Sequence, residues 1–100
     1  MAYSVNVTPR AQRQYSRLIK QLTSLERRRL DDSIDGLKDE PRPFGCEKLT
    51  GRDNRYRIRI GDYRAIYDVE DTERRILVII VGHRREVYDM LRRQPQVFNR

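Results

Sequence analysis

The strongest constraint in this chain is a change of hydrophobic period partway along it. Between residues 9 and 38 the apolar residues recur every three to four positions; from residue 55 they alternate. Residues 55–60, RYRIRI, alternate strictly, which reads as a strand with one apolar and one charged face. Gly61-Asp62 follows, a two-residue hairpin signal, and residues 63–69, YRAIYDV, form the returning strand. Residues 76–81, ILVIIV, are apolar without alternation, so this strand is expected to be central and covered on both faces.

The first half supplies the cover. Residues 2–7 read as a short strand with Tyr3, Val5 and Val7 on one side. Thr8-Pro9 is a cap residue followed by a proline suited to the first helical position, and predicts a helix over about 9–22. Its inner stripe is Ala11, Tyr15, Leu18, Ile19 and Leu22. Ser24 is placed to cap a second helix running to about 38, with Leu30, Ile34 and Leu37 inward, and the tight connection makes the two an antiparallel pair. Pro41, Pro43 and Gly45 mark a loop. A last helix is expected to begin near His83 or Arg84 and to carry Val87, Met90 and Leu91. The fold class is α+β: a small, mainly antiparallel sheet of about four strands, a helical hairpin on one face and a short C-terminal helix. The expected organisation is one domain over 1–94, with 95–100 as a flexible tail.

Composition excludes several classes. No apolar run approaches the roughly 18 residues that span a bilayer, and the N-terminus has no signal-peptide pattern, so a soluble, cytoplasmic protein with no membrane partner is expected. Cys46 is the only cysteine, which rules out an internal disulfide and fits a reducing compartment. With His83 as the only histidine, no zinc site can be built from Cys and His alone. The carboxylates Asp31, Asp32 and Asp35, and those at 68–73, show no metal-ligand spacing and read as solvated surface. Neither metal nor cofactor is expected.

The net charge of +7 is carried almost wholly by arginine: Lys20, Lys38 and Lys48 are the only lysines among 22 basic residues. Guanidinium groups grip phosphates bidentately, and a basic surface suits RNA, DNA, acidic membranes or an acidic protein. A two-residue turn at 61–62 sets the hairpin register. Ile60 then faces Tyr63 and Ile58 faces Ala65 on the apolar side; Arg59 faces Arg64, Arg57 faces Ile66 and Arg55 faces Asp68 on the other. Like charges opposed across a sheet repel. Either solvent dilutes that repulsion on a charged edge or an anion binds there. Four converging arginines, with Arg84 after the central strand, favour the anion. Arg84 and Tyr88 share a helical face if the last helix includes both. Tyr88 is able to stack on a base or donate a hydrogen bond, or to be a packed amphipathic side chain.

Cleaving RNA without a metal needs a base for the 2′-hydroxyl, cations for the phosphorane and an acid for the leaving 5′-oxygen. Arginine suits the second task and not the first, because its pKa exceeds about 12. His83 is the one side chain of a type that titrates near neutrality, which makes it a candidate acid or base.

The stretch KLTGRDNRYRIRIGDYRAIYDVEDTERRILVIIVGHRREVY, residues 48–88, resembles the RelE/ParE toxin superfamily. The resemblance rests on the KL-x-G opening, the YRIRIGDYRAIY hairpin, the apolar strand and GHRREVY; with the N-terminal strand and two helices it covers nearly the whole chain. It implies the RelE sheet and a metal-independent endoribonuclease that cleaves messenger RNA in the ribosomal A site and so inhibits translation. It further implies that Arg64 stabilises the transition state, Arg84 acts as general acid and Tyr88 stacks on or orients a base. Arg57 and Arg59 fall where some RelE proteins carry two lysines, one proposed as base. Here they are expected to hold phosphates, leaving the base to His83, a carboxylate or a ribosomal group. Lys48, Arg52, Arg55 and Arg85 are expected RNA contacts. The implied partners are a cognate antitoxin, the ribosome and messenger RNA. A ParE-like inhibitor of DNA gyrase, without enzymatic activity, and a non-toxic nucleic-acid-binding module are the competing readings.

Overall fold

The first half of the chain folds over the second as the change of period requires. The computed structural model describes residues 2–51 and 53–93. Arg52, expected to contact RNA, and the expected tail 95–100 lie outside the described residues. The elements are β1 (Ser4–Val7), α1 (Pro9–Leu18), α2 (Ser24–Asp35), β2 (Glu47–Lys48), β3 (Arg55–Ile60), β4 (Tyr63–Glu70), β5 (Arg75–His83) and α3 (Val87–Arg92). The strands form one sheet in the order β1-β5-β4-β3-β2, antiparallel except for the parallel pairing of β1 with β5.

Local chemistry sets the helix ends. The Thr8 side chain accepts a hydrogen bond from the Ala11 amide at 3.1 Å, and Pro9 opens the first turn of α1. The regular helix stops at Leu18 and tightens into a 3-10 turn over Ile19–Gln21, short of the expected end at 22. The second helix is capped by Thr23, not Ser24. The Thr23 hydroxyl accepts from the Glu26 amide while the Glu26 carboxylate accepts from the Thr23 amide. A capping box needs Glu or Gln three residues after the cap; Thr23 has Glu26, whereas Ser24 would have Arg27. Gly36 converts α2 into a 3-10 turn through Lys38.

The hairpin register agrees with the alternation at all six pairs, from Arg55–Asp68 to Ile60–Tyr63. Gly61 adopts φ 61°, the conformation a II′ hairpin turn requires at its first central position. The sheet has five strands rather than about four; β2 is two residues long, too short to carry a pattern. Strand β5 runs two residues beyond the apolar run at its C-terminal end and contains a bulge: Ile66 pairs with Ile80 but Tyr67 with Val78. Ile79 is the extra residue, so Ile79 and Ile80 join the same side.

Two cores result. On one face Ala11, Leu30 and Leu37 pack on Ile58, Ala65, Tyr67, Val69, Ile76, Val78 and Val81. On the other, Ile66, Ile79, Ile80 and Val87 pack with Leu49, Met90 and Leu91. The helical hairpin covers the first face and α3 the second, which is why ILVIIV does not alternate. A Cβ at Gly82 would lie 3.0 Å from Met90, so α3 sits close against β5. That helix starts at Val87 instead of 83 or 84, because His83 still pairs with Tyr63 in the sheet and the Arg84 amide donates to the Asp62 carbonyl at 2.8 Å.

The loop after α2 is strapped down. Buried Tyr67 donates to the Pro41 carbonyl at 2.7 Å. Arg42 makes a bidentate pair with Asp71 (2.8 and 3.2 Å), donates to the Tyr56 hydroxyl at 2.9 Å and lies 5.0 Å from that ring's centre. Tyr3 donates to the same Asp71 at 2.7 Å. Arg42 first and Tyr3 second hold the Asp71 carboxyl below the usual carboxylate range. A depressed carboxylate contributes stability that is present above its unfolded pKa and lost as pH falls through the folded value. Asp71→Asn is therefore expected to melt below wild type at neutral pH, with the gap closing below about pH 4. A gap that persisted unchanged down to about pH 2 would remove the charge from this account.

Candidate nucleic-acid interface

The second face of the β3–β4 hairpin carries the arginines the alternation places there, in two chemically distinct groups. Arg55 and Asp68 oppose each other and are 7% and 2% exposed. They form a bidentate pair at 2.7 and 2.9 Å. Arg55 is thus neutralised and buried; its place is structural, not that of an exposed RNA contact. Arg57 is also buried. Its guanidinium donates to the Glu47 carboxylate, across the β2–β3 ladder, and to the Tyr88 hydroxyl of α3. It lies 5.9 Å from the Tyr88 ring centre, and its Nε is a buried donor without a partner. Tyr88 itself is exposed.

The second group is open to solvent. Arg59 is exposed, and Arg64, directly opposite, is half-buried with Nη1 donating to the carbonyls of Gly61 (2.8 Å) and Tyr63 (2.9 Å). Burial pushes the Arg64 guanidinium pKa down, and the charges of Arg59, Arg57 and Arg84 push it further the same way. Four cations crowd one place, and an anion there would relieve them. Arg84 lies in the turn between β5 and α3, its Nε 3.6 Å from the Asp62 carboxylate. Arg84 and Tyr88 therefore do not share a helical face; Arg84 reaches the site through the hairpin turn and Tyr88 through Arg57.

Other expected residues lie elsewhere. His83 pairs with Tyr63 and meets its ring edge-on at 5.6 Å between centres, and its Nδ1 accepts from the Arg85 amide at 3.2 Å. Tyr63 opposes Ile60 of the first core, so His83 is on the face away from the arginines. Lys48 pairs with Tyr56 and shares that face in register. Arg85 lines a cavity of about 420 Å³ with Gln14, Arg17 and His83. Two residues at the arginine face were not legible in the sequence: Glu47, visible only through the β2–β3 register, and Asp62, hidden in its role as a turn residue. Among the described residues, no group of three or more His, Cys, Asp and Glu is placed to hold a metal ion, and no helix is long and apolar enough to cross a membrane.

A five-stranded sheet with a helical hairpin on one face and an arginine cluster on the other is the arrangement that the RelE/ParE resemblance implies. The family model described as ParE toxin of type II toxin-antitoxin system, parDE, matches residues 5–88. The chain belongs to this family and is a toxin of a type II toxin–antitoxin system. Among solved structures it is similar to the RelE of an archaeal RelE–RelB complex from Pyrococcus horikoshii OT3, with 30% identity, a TM-score of 0.68, and coverage of 84% of this chain and 97% of that one. It is equally similar to a mutant E. coli toxin RelE in the free state: 30% identity, TM-score 0.68, 93% and 98% covered. The YoeB/ParE toxin from Agrobacterium tumefaciens, at 21% identity and TM-score 0.66 with 80% and 96% covered, shares the fold. No curated protein matches the chain in sequence.

Removing one partner of a buried ion pair strands the other charge, at a cost of about 3–5 kcal/mol. Asp68→Ala is expected to lower unfolding free energy by that order in urea. Replacing both members, Arg55→Met with Asp68→Leu, is expected to recover most of it. A double variant as unstable as the single one would mean that the pair does more than neutralise itself.

Proposed function

We propose that this toxin is a metal-independent endoribonuclease that cleaves messenger RNA on the ribosome. The observation that carries the reading is the crowding of Arg64 by Arg59, Arg57 and Arg84 beside an exposed tyrosine. That is an arrangement for a phosphate about to gain charge. Arg64 and Arg59 neutralise the phosphorane, and Tyr88 orients the neighbouring base. Arg84 supplies the proton to the leaving 5′-oxygen, the role the RelE resemblance implies for it.

The base is a carboxylate in this reading. Arginine at 57 and 59 cannot take a proton, and His83 faces the other way. Glu47 lies in contact with Arg57 and is half-exposed. Its carboxylate takes the 2′-hydroxyl proton, the 2′-oxygen attacks phosphorus, and the 5′-oxygen leaves with the proton from Arg84; the product is a 2′,3′-cyclic phosphate. The partner that restrains this face is a cognate antitoxin; the archaeal relative was solved together with its RelB. Acidic side chains would meet the arginines, and such complementarity speeds association. In this reading the toxin acts in the cytoplasm, where the ribosomes are.

One observation favours a second reading: the matching family model is that of ParE toxins. There the arginine face would be a docking surface on DNA gyrase, with no bond cleaved.

The discriminating assay is a cell-free translation reaction with messenger 5′ ends mapped by primer extension. Cuts within ribosome-occupied codons, absent from naked RNA, are expected from wild type. Arg64→Ala is expected to reduce them by about 100-fold or more while still folding. Glu47→Gln is expected to lose about 100-fold. Intact messenger together with inhibited gyrase supercoiling would transfer the site to the second reading.

A further inference from the structure

Strand β1 pairs with β5 only from Arg75 to Val78, so the rest of β5 has no strand beside it on that edge. A side chain meets the edge instead: the Val81 amide donates to the Gln14 side-chain oxygen of α1 at 3.0 Å. Beside this bond lies the cavity of about 420 Å³, walled by α1, the end of β5 and the turn before α3. A second cavity of about 300 Å³ shares Gln14, Arg17 and Met90 with it and carries the groove on to Arg10, Arg13 and Arg93. Arg10 donates to the Arg93 carbonyl at 3.2 Å, so α1 is tied to the opposite wall by this bond as well as by Gln14.

The bonds that build the groove leave it lined with donors. The Gln14 oxygen is engaged by Val81, which leaves the NH2 group. His83 accepts from the Arg85 amide at Nδ1, which puts the proton of the neutral ring on Nε2. Arg17 and Arg85 carry donors only. Glu86 is the opposing carboxylate, against Arg10, Arg13, Arg17, Arg85 and Arg93. Residues 9–21 contain Arg10, Arg13, Arg17 and Lys20 and no acidic residue, whereas the arginines of α2 sit among Glu26, Asp31, Asp32 and Asp35. Ion pairs among the described residues take up Arg27, Arg75, Arg84 and Arg92, but not Arg13, Arg17 or Arg85. Arg10, Arg13 and Arg17 are three and four residues apart on α1, which makes one stripe with neighbours about 5–6 Å apart.

A stripe of cations along a donor-lined groove is complementary to a string of anions. Protein segments draw affinity from apolar anchors, and the apolar residues here, Leu18, Val81 and Met90, are already wholly or partly covered. Phosphodiesters need only cations and donors. Among the described residues neither Phe nor Tyr lines either cavity, so an unpaired base finds no ring to stack on. Contact with backbone and not with bases is how paired RNA is held.

We propose that this groove binds the phosphodiester backbone of a paired RNA, as a surface separate from the arginine face that takes the cut strand. The inference rests on the RNA reading above, and its test does not depend on cleavage. The probe is an end-labelled RNA duplex of about 16 base pairs, followed by fluorescence anisotropy at several salt concentrations. A single-stranded 2′-O-methyl oligoribonucleotide, which cannot be cut, is the control. Arg13→Gln combined with Arg17→Gln is expected to keep the melting temperature, because both positions are exposed and glutamine suits a helix as well as arginine does. Duplex binding is expected to weaken by about 10-fold or more and its salt slope to fall by about 2, one for each phosphate contact removed. Binding of the single strand stays that of wild type, because the arginine face is intact. Gln14→Glu keeps an oxygen for Val81 and replaces the donor with a charged acceptor. It is expected to weaken duplex binding too, which a merely structural Gln14 would not.

Duplex binding indifferent to these substitutions would overturn the proposal. So would wild-type duplex binding by variants that have lost affinity for the antitoxin, which would make the groove a protein contact. Weakened duplex binding by the variants, without messenger cleavage by wild type, would sink the nuclease reading and leave the groove standing. Cleavage by wild type with duplex binding unmoved by the substitutions would do the reverse.

Discussion

A slip of one residue in β3 against β4 would turn Arg55, Arg57 and Arg59 toward the helical core and put Tyr56, Ile58 and Ile60 on the other face. The register of this hairpin is the constraint from which the rest follows, and it is held at both ends. At the turn, Gly61 takes the positive φ that a two-residue connection demands. At the open end, Arg55 and Asp68 close a bidentate ion pair that neither would form in any other register. Such a pair adds little net stability compared with apolar residues of the same volume, but its geometry admits one alignment. Between the two ends sits the repulsive Arg59–Arg64 pairing, an arrangement the hairpin tolerates only because its ends are fixed.

The bulge at Ile79 extends this logic to the neighbouring strand. Without it, strict alternation would carry Ile80 to the helical-hairpin face with Ile76 and Val78, and Val81 to the arginine face. With it, Ile79 and Ile80 lie on the arginine side and give α3 a floor. That helix brings Tyr88 to Arg57 and helps to seal Arg57 from solvent. A buried cation, two open ones and an aromatic side chain are thus positioned by backbone geometry in two strands and one short helix.

Features that depend on near neighbours in sequence were legible before the structure. The hairpin pairing, the Thr8 cap and the inward stripe through Leu30 and Leu37 all follow from period and turn chemistry. The second cap was misplaced by one residue, because Ser24 looks as good as Thr23 until Glu26 is recognised as the reciprocal partner. What could not be read depends on packing across the sheet. Arg55, Arg57 and Arg59 are identical letters at alternate positions, yet two are buried and one is exposed, because Leu49 and α3 cover only part of that face. Glu47 belongs to a two-residue strand, and only its pairing brings it to Arg57. His83 drew attention as the only histidine, but the parity of β5 sends it to the other side.

The parallel pairing of β1 with β5 joins Ser4 to Arg75, partners far apart along the chain. Closing so large a loop costs more chain entropy than closing the two-residue hairpin, and long-range pairing slows folding. A polypeptide made from its N-terminus first must keep Val5, Val7 and the inward stripes of both helices waiting until β5 exists. Loop length alone favours an order in which the hairpin forms first, β5 is laid along it, and β1 docks last. In that order Arg57, Arg59 and Arg64 would take up their mutual positions while the oldest part of the chain is still undocked.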